Sequence, residues 1–314
     1  MNGLTLAITT WKRPSPLTRC LWSVVRQKTM PDRLIIVDND LSKSAESVVL
    51  PFINKLPMVY LSEQKQGTPH ARNAAIGACE SPYLGFVDDD CILDPHWVAS
   101  GLEAIRNKKI TYVLGKSLLF NTKNVVARAQ YVHYSYWFSV KLKEALPYAP
   151  PMKFDTKNVI VRTGALRKYR LLFNDRFACG AVDSSDTDMG FQLDKKNYKG
   201  IYMPQMIVRH EESENFYRFL YKSYWRGRLA YRLAKKWNLS DELVCLPHKN
   251  WFTYLRSIRY WPDEYTAFMR GNSQSRLIKV IMFLLIKAHD RVYLEGYLRQ
   301  MSLSDKKSPS VNGS

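Results

Sequence analysis

An apolar strand that runs straight into three adjacent carboxylates constrains this chain more than any other feature. Residues 83–87 read as a strand, and Asp88, Asp89 and Asp90 follow it without a spacer. Neighbouring carboxylates at one strand end repel each other unless a cation lies between them. Hard oxygen donors beside a diphosphate suit Mg²⁺ or Mn²⁺, which take one or two protein carboxylates. Such an ion would neutralise charge on a departing nucleotide diphosphate. Acidic triplets also occur in solvated turns, so the reading depends on what surrounds this one.

The surroundings alternate strand and helix patterns. Residues 4–9 are apolar and β-branched, Pro14 and Pro16 mark a polar turn, and residues 17–27 have helical spacing. Residues 34–37 form the short, continuous apolar run of a buried parallel strand, residues 59–61 a third strand, and residues 71–79 a small-residue helix. This β-α-β-α order predicts a doubly wound sheet whose ligand crevice lies at the carboxyl ends of its strands. Asp38, Asp40 and Asp88–Asp90 all follow strands, so they fall at that crevice.

The later chain is less regular. Residues 131–138 are crowded with aromatics and precede Pro147, Pro150 and Pro151, which suggests a loop or excursion serving either core packing or an acceptor surface. Residues 158–161 and 201–208 read as further strands, the second ending at Arg209 and His210. From Phe216 the pattern is helical, with Arg218, Lys222, Arg226 and Arg228 interleaved. Residues 276–297 mix apolar residues with Lys279, Lys287 and Arg291, as in an interfacial helix on anionic lipid or a closing helix with a solvated basic face. Residues 306–314 are polar and read as disordered.

Composition narrows the partners. The formal charge is +19 with a sequence pI near 9.7, which favours a nucleotide diphosphate, an acidic membrane surface or nucleic acid. From Ser213 onward there are 18 Lys and Arg against 8 Asp and Glu, a surplus of ten. No nucleic-acid-binding motif accompanies the charge. Five cysteines (Cys20, Cys79, Cys91, Cys179, Cys245) lie far apart without a CxxC pair, which predicts reduced thiols and argues against a cysteine zinc site. No secretory leader is read at the N-terminus. The longest apolar run, residues 280–286, is far short of the roughly 20 residues a bilayer span needs. The expected location is cytoplasmic, peripheral at the inner face of a membrane.

These blocks together resemble glycosyltransferase family 2. Ile8-Thr9-Thr10-Trp11-Lys12-Arg13-Pro14 is similar to that family's first strand and loop, and Leu34-Ile35-Ile36-Val37-Asp38-Asn39 to its second strand and nucleotide-contacting aspartate. Gly67 to Asn73, Phe86 to Asp90 and Pro95-His96-Trp97 resemble the stretch leading into its metal motif. Ser185-Asp186-Thr187-Asp188-Met189-Gly190 resembles the family's Glu-Asp-x-Asp-Leu block, with Ser185 in place of the glutamate. Arg209-His210-Glu211 resembles a later segment whose histidine approaches metal or diphosphate.

The resemblance implies a GT-A fold: α/β, with a doubly wound, mostly parallel nucleotide-binding sheet and here a basic C-terminal helical extension. The expected organisation is a catalytic domain over residues 1–212 (donor half 1–100, acceptor half 101–212). A basic helical region at 213–303 and a tail at 304–314 follow. It also implies Asp186 as catalytic base, Asp90 and His210 as metal ligands, and Thr9, Trp11, Arg13, Asp38, Arg72, Asp88 and Asp89 around the donor. Asp188 is expected at the helix start or an acceptor hydroxyl. The implied cofactor is Mg²⁺ or Mn²⁺, the donor a UDP- or dTDP-sugar, and the acceptor a glycan or lipid-linked hydroxyl.

The chemistry is intelligible from the residues themselves, since an inverting displacement needs one base opposite the leaving group. Plainer roles exist for each residue: Asp38 capping a turn, Asp186 capping a helix, His210 closing a strand, Arg72 pairing with Asp89 or a helix end. Two other classes compete. A sugar-nucleotide-forming nucleotidyltransferase would carry a glycine-rich phosphate loop near the N-terminus, and residues 9–16 contain no glycine. A basic nucleic-acid-binding protein rests on charge alone.

Overall fold

The computed structural model describes residues 3–144, 154–179, 182–240 and 275–305, and the chain divides into two compact units. The first comprises residues 1–121 and 138–211, the second residues 122–137 and 212–314.

The first unit is built on an eight-stranded mixed sheet in the order β3-β2-β1-β4-β7-β6-β10-β5. Its strands are β1 (Leu4–Thr10), β2 (Arg33–Asp38), β3 (Met58–Ser62), β4 (Tyr83–Asp88), β5 (Cys91–Leu93), β6 (Tyr112–Leu119), β7 (Val159–Arg162) and β10 (Gly200–His210). A separate two-stranded ribbon joins β8 (Ala178–Cys179) to β9 (Val182–Asp183). The first four strands are mutually parallel, whereas β7 runs antiparallel to both β4 and β6. Parallel strands covered on both faces must be apolar throughout. Leu34, Ile35, Ile36 and Val37 meet that requirement, since all four are fully buried.

Helices cover both faces. On one side α1 (Pro14–Val25) and α4 (Trp97–Ile105) contribute Leu17, Leu21, Trp97 and Leu102 to the core. On the other, α3 (Thr68–Ala78) and α7 (Ser185–Asp194) contribute Ala71, Ala75, Met189 and Leu193, packed with Phe86 and Phe173. A single turn, α2 (Glu46–Val49), and the short α6 (Thr163–Lys168) complete this unit. Helix α1 begins three residues earlier than the sequence pattern suggests, because proline is well tolerated in a first turn, where its missing N–H has no partner to lose. Cys20, Cys79 and Cys91 are buried free thiols and Cys179 is half-buried, while Cys245 lies outside the described residues.

The aromatic segment expected to form a loop is instead helical. Residues 131–138 lie inside α5 (Val125–Glu144), whose start is fixed by Asn124 accepting from the amides of Val126 and Ala127. No glycine or proline interrupts that run, and aromatic residues cost a helix only a few tenths of a kcal/mol. The prolines that prompted the loop reading fall outside the described residues, as does the 306–314 tail.

The second unit holds the start of α5 with α8 (Phe216–Trp237) and α9 (Arg276–Asp305). Helix α8 is capped by Asn215, which accepts from the Arg218 amide at 2.9 Å, and ends on Asn238 in the left-handed region (φ 52°). It crosses α9 at two glycines. A Cβ on Gly227 would stand 1.9 Å from the Tyr293 carbonyl oxygen, and one on Gly296 2.0 Å from that of Tyr224. Ala129 and Val132 of α5 pack with Met282 and Ile286 of α9. Among the described residues no helix is long and apolar enough to cross a membrane.

Candidate active site

The sheet register gathers the acidic residues. Thr10 of β1 pairs with Asp38 of β2, and Thr9 with Asp88 of β4, so both aspartates leave the sheet at one edge. The chain then turns through Asp89 and Asp90 into β5, which pairs antiparallel with β10 and sets His210 opposite Cys91. Glu211 donates its amide to the Asp90 carbonyl at 3.2 Å, fixing this corner. The result is a compact donor set in which ligand atoms of Asp88, Asp90 and His210 all lie within 4.8 Å of one another.

Each carboxylate of the triplet has a different environment. Asp89 is buried, accepts from the Thr10 hydroxyl at 2.7 Å and pairs with Arg13 at 2.9 Å. Burial pushes its carboxyl up to about 7 against the pull of Arg13. Asp90 takes the second arm of Arg13 at 2.6 Å and faces His210 Nε2 at 3.3 Å. Burial alone would raise it, but His210 and the Arg13 guanidinium hold it below the usual carboxylate range. Asp88 is raised by burial despite Arg72.

The donor set fits a hard divalent cation. Asp90 Oδ1 is buried without a well-formed hydrogen bond, directed at the space shared with Asp88 and His210. The two carboxylates match the hard-oxygen preference of Mg²⁺ or Mn²⁺, with the imidazole as a third donor.

Arg72 connects this cluster to the expected base. It is buried in α3, hydrogen-bonds Asp183 and lies 3.6 Å from Asp88. Asp183 in turn accepts from the Ser185 amide at 2.8 Å and so fixes the start of α7. Asp186 stands in the first turn of that helix, accepting from the Thr187 amide at 2.6 Å. Burial first, then the nearby Asp183 and Asp155, push its carboxyl up to about 7, with Arg72 opposing. A carboxyl titrating there is matched to accepting a proton at neutral pH.

The other expected residues are placed as follows. Asp38 is fully buried, and its carboxylate accepts from the amides of Asp40 and Ala45 and from the Tyr60 hydroxyl. It therefore orders the loop after β2. Trp11 is 52% exposed beside the crevice strand ends, with Lys12 at 5.3 Å from its ring. Asp188 is fully buried and accepts from Gln192 at 2.9 Å, one turn along α7. Ser185, where the family pattern has glutamate, is fully buried with its hydroxyl lacking a hydrogen bond.

Two residues were missed by reading the sequence. Asp183 anchors Arg72, and Asp155, paired with Lys157 at 2.8 Å, adds negative potential at Asp186. For Asp183 a signal existed: it lies three residues before Asp186, where a strand meets a helix. Asp155 precedes β7 in an irregular stretch and gave none.

A curled α/β sheet with an acidic strand-end corner and a carboxylate-led helix beside it defines the GT-A class of folds. The sequence agrees: the profile of glycosyl transferase family 2 matches residues 5–172, and the chain belongs to that family. It is 25% identical over 126 residues to a hyaluronan synthase of Pasteurella multocida, covering 39% of this chain and 13% of that protein. It is 32% identical over 110 residues to a teichoic acid poly(glycerol phosphate) polymerase of Staphylococcus epidermidis, covering 34% and 15%. The chain thus spans only a small part of the length of these relatives. Among solved structures, mannosyltransferase PcManGT from Pyrobaculum calidifontis, in complex with GDP-Man and Mn²⁺, superposes with a TM-score of 0.62 at 13% identity. That match covers 98% of this chain and 88% of the other. S. aureus TarS 1-349 in complex with UDP-GlcNAc gives 0.53 at 14% identity, covering 96% and 92%.

Proposed function

We propose that this protein is an inverting glycosyltransferase that moves a sugar from a nucleotide-diphosphate donor to an acceptor hydroxyl, with Asp186 as base. The observation that carries the reading is the convergence of Asp88, Asp90 and His210 within 4.8 Å at the sheet edge, tied through Arg72 and Asp183 to the helix bearing Asp186. The acceptor oxygen loses its proton to the Asp186 carboxylate as it bonds to the anomeric carbon, and the nucleotide diphosphate departs from the opposite face. Asp90, Asp88 and His210 would hold Mg²⁺ or Mn²⁺, which supplies neutralisation of the leaving diphosphate. Arg13 and Arg72 offset part of the cost of burying and crowding the carboxylates, and Asp38 shapes the loop that flanks the donor base.

Names and bound ligands of similar proteins support parts of this reading. Bound GDP-Man and UDP-GlcNAc in the two structural neighbours favour a nucleotide-sugar donor, and bound Mn²⁺ in one favours a divalent ion. A UDP- or dTDP-linked sugar remains our preferred donor. Polymer-making relatives favour a glycan or lipid-linked acceptor.

Contact with an anionic membrane is the second part of the proposal. Leu277, Val280, Ile281 and Leu284 lie on one stripe of α9 and are exposed, with Arg276, Lys279 and Lys287 beside them. Apolar residues flanked by cations suit an interfacial helix.

A thermal-shift screen of UDP-, dTDP- and GDP-sugars with and without Mn²⁺ tests the reading. One nucleotide class should stabilise the protein only with Mn²⁺, because a ligand that binds the folded state raises its stability. Asp90→Ala should lose that dependence, whereas Asp186→Asn should keep it while losing transfer. A large shift with oligonucleotides and none with any donor would refute the proposal.

A further inference from the structure

A second set of metal-ligating side chains lies in the helical unit, remote in sequence from the acidic triplet. His133 projects from α5 and the adjacent His289 and Asp290 from α9, with one ligand atom of each within 4.8 Å of the others. His289 Nδ1 and Asp290 Oδ1 stand 3.2 Å apart. That matches the spacing of about 3.3 Å between ligand atoms placed about 2.0–2.1 Å from a tetrahedral ion. The His133 and His289 rings have centroids 4.4 Å apart at 51°, so neither ring blocks the other's nitrogens by stacking flat.

From this geometry we infer that His133, His289 and Asp290 form a binding site for a borderline transition-metal ion, Zn²⁺ by preference, that joins α5 to α9. Two imidazoles and one carboxylate are a borderline-to-hard donor set, distinct from the carboxylate-rich corner at the sheet edge. The absence of a cysteine pair does not bear on it, since the site uses none.

Three features prepare these side chains for an ion. His289 is 6% exposed, so little water competes for its ring nitrogens. Its ring is held between Phe219 and Tyr293, nearly parallel to both at 5.5 and 5.8 Å, which fixes the direction of its nitrogens. Next to the site, Ala129 and Val132 pack with Met282 and Ile286 in a buried apolar cluster.

Charge limits the affinity. Lys287 Nζ lies 4.0 Å from Asp290, and Arg226 acts on His289. The competing arrangement is a neutral His289 donating to Asp290, with Lys287 as counter-charge and no ion. The two differ in one measurable respect, namely whether zinc binds with an affinity that His133 governs.

Zinc binding to the full chain, followed by competition with a chromophoric chelator in excess Mg²⁺, decides between them. The Mg²⁺ saturates the hard site, and the Asp90→Ala protein repeats the measurement with that site disabled. One equivalent of Zn²⁺ should bind in both, and Co²⁺ should show the visible bands of a tetrahedral centre. His133→Gln should weaken binding by at least about tenfold, since even outer partners of a metal ligand cost that much. His133 is only half-buried, so its replacement tests the site without the packing loss that His289→Gln would bring. No bound zinc in either protein, or unchanged affinity in His133→Gln, would overturn the inference.

Discussion

At the strand ends of the first unit, Asp88, Asp89, Asp90, Asp183 and Asp186 are kept close by two arginines that reach in from α1's N-terminal loop and from α3. In the second unit, α8 and α9 meet where Gly227 and Gly296 leave the facing backbone carbonyl almost no clearance. The first arrangement assembles charges that repel each other and depends on cations. The second brings backbone against backbone at its crossing and depends on the absence of two side chains. A charged cluster can be disarmed while the fold persists, and a glycine crossing cannot be widened without moving a helix. The two regions should therefore respond differently to pH and to substitution.

The largest expected effect concerns Asp186. With a carboxyl titrating near 7, kcat/KM should rise about tenfold per pH unit below that value and level off above it. Asp186→Asn should lower the rate by about 10²–10⁴, the usual contribution of a positioned base. Stability should move the other way. The folded-state value lies above the ordinary 3.8, so Asp186 costs nothing below about pH 4 and progressively destabilises the fold as pH rises towards 7. Above pH 7, Asp186→Asn should be the more stable protein, by on the order of 1–4 kcal/mol, and at pH 4 the two should coincide. Urea unfolding at both pH values checks this, and equal stability at every pH would break the contrast between the regions.

Arg72 comes next. Replacing it by Met leaves Asp88 and Asp183 with their buried charge uncompensated, and removing one partner of a buried pair costs about 3–5 kcal/mol. Arg72→Lys should recover only part of this, because an ammonium cannot serve two carboxylates with a fixed fork. If Arg72→Met unfolds at the same urea concentration as the parent, cations are not what holds the strand-end corner.

Particular residues explain how much was legible in the sequence. The central strands were readable because strands buried on both faces must be continuously apolar, as in Leu34–Val37, and because aspartates end two of them, β2 and β4. His210 was placed at the strand end, but its approach to Asp90 depends on β5, three residues long and antiparallel to β10, a pairing with no local signature. Arg72 was readable as a cation near the crevice, whereas its partner Asp183 depends on a tertiary contact across 111 residues. The helix at residues 125–144 was obscured because proline and aromatic content outweighed the Asn124 cap. The pairing of His133 with His289 and Asp290 joins two helices 156 residues apart in sequence, and periodicity cannot reveal such a contact.

The smallest expected effect tests the other side of the comparison. Gly227→Ala places a methyl group where the Tyr293 carbonyl oxygen now stands 1.9 Å from the ideal Cβ position, and backbone cannot yield as a side-chain tip can. Overpacking of this kind costs about 1–3 kcal/mol. Gly296→Ala should cost a similar amount, and the double substitution less than the sum, because one displacement of α8 from α9 relieves both clashes. Gly77 in α3 is the control. A Cβ there meets nothing within 4 Å, so Gly77→Ala should be neutral or stabilise by up to about 1 kcal/mol through helix propensity alone. Thermal unfolding of the four variants reads the difference directly. Full additivity of the two crossing substitutions would mean that each glycine is met by an independent local adjustment, and the close crossing would then not be what holds the helices together.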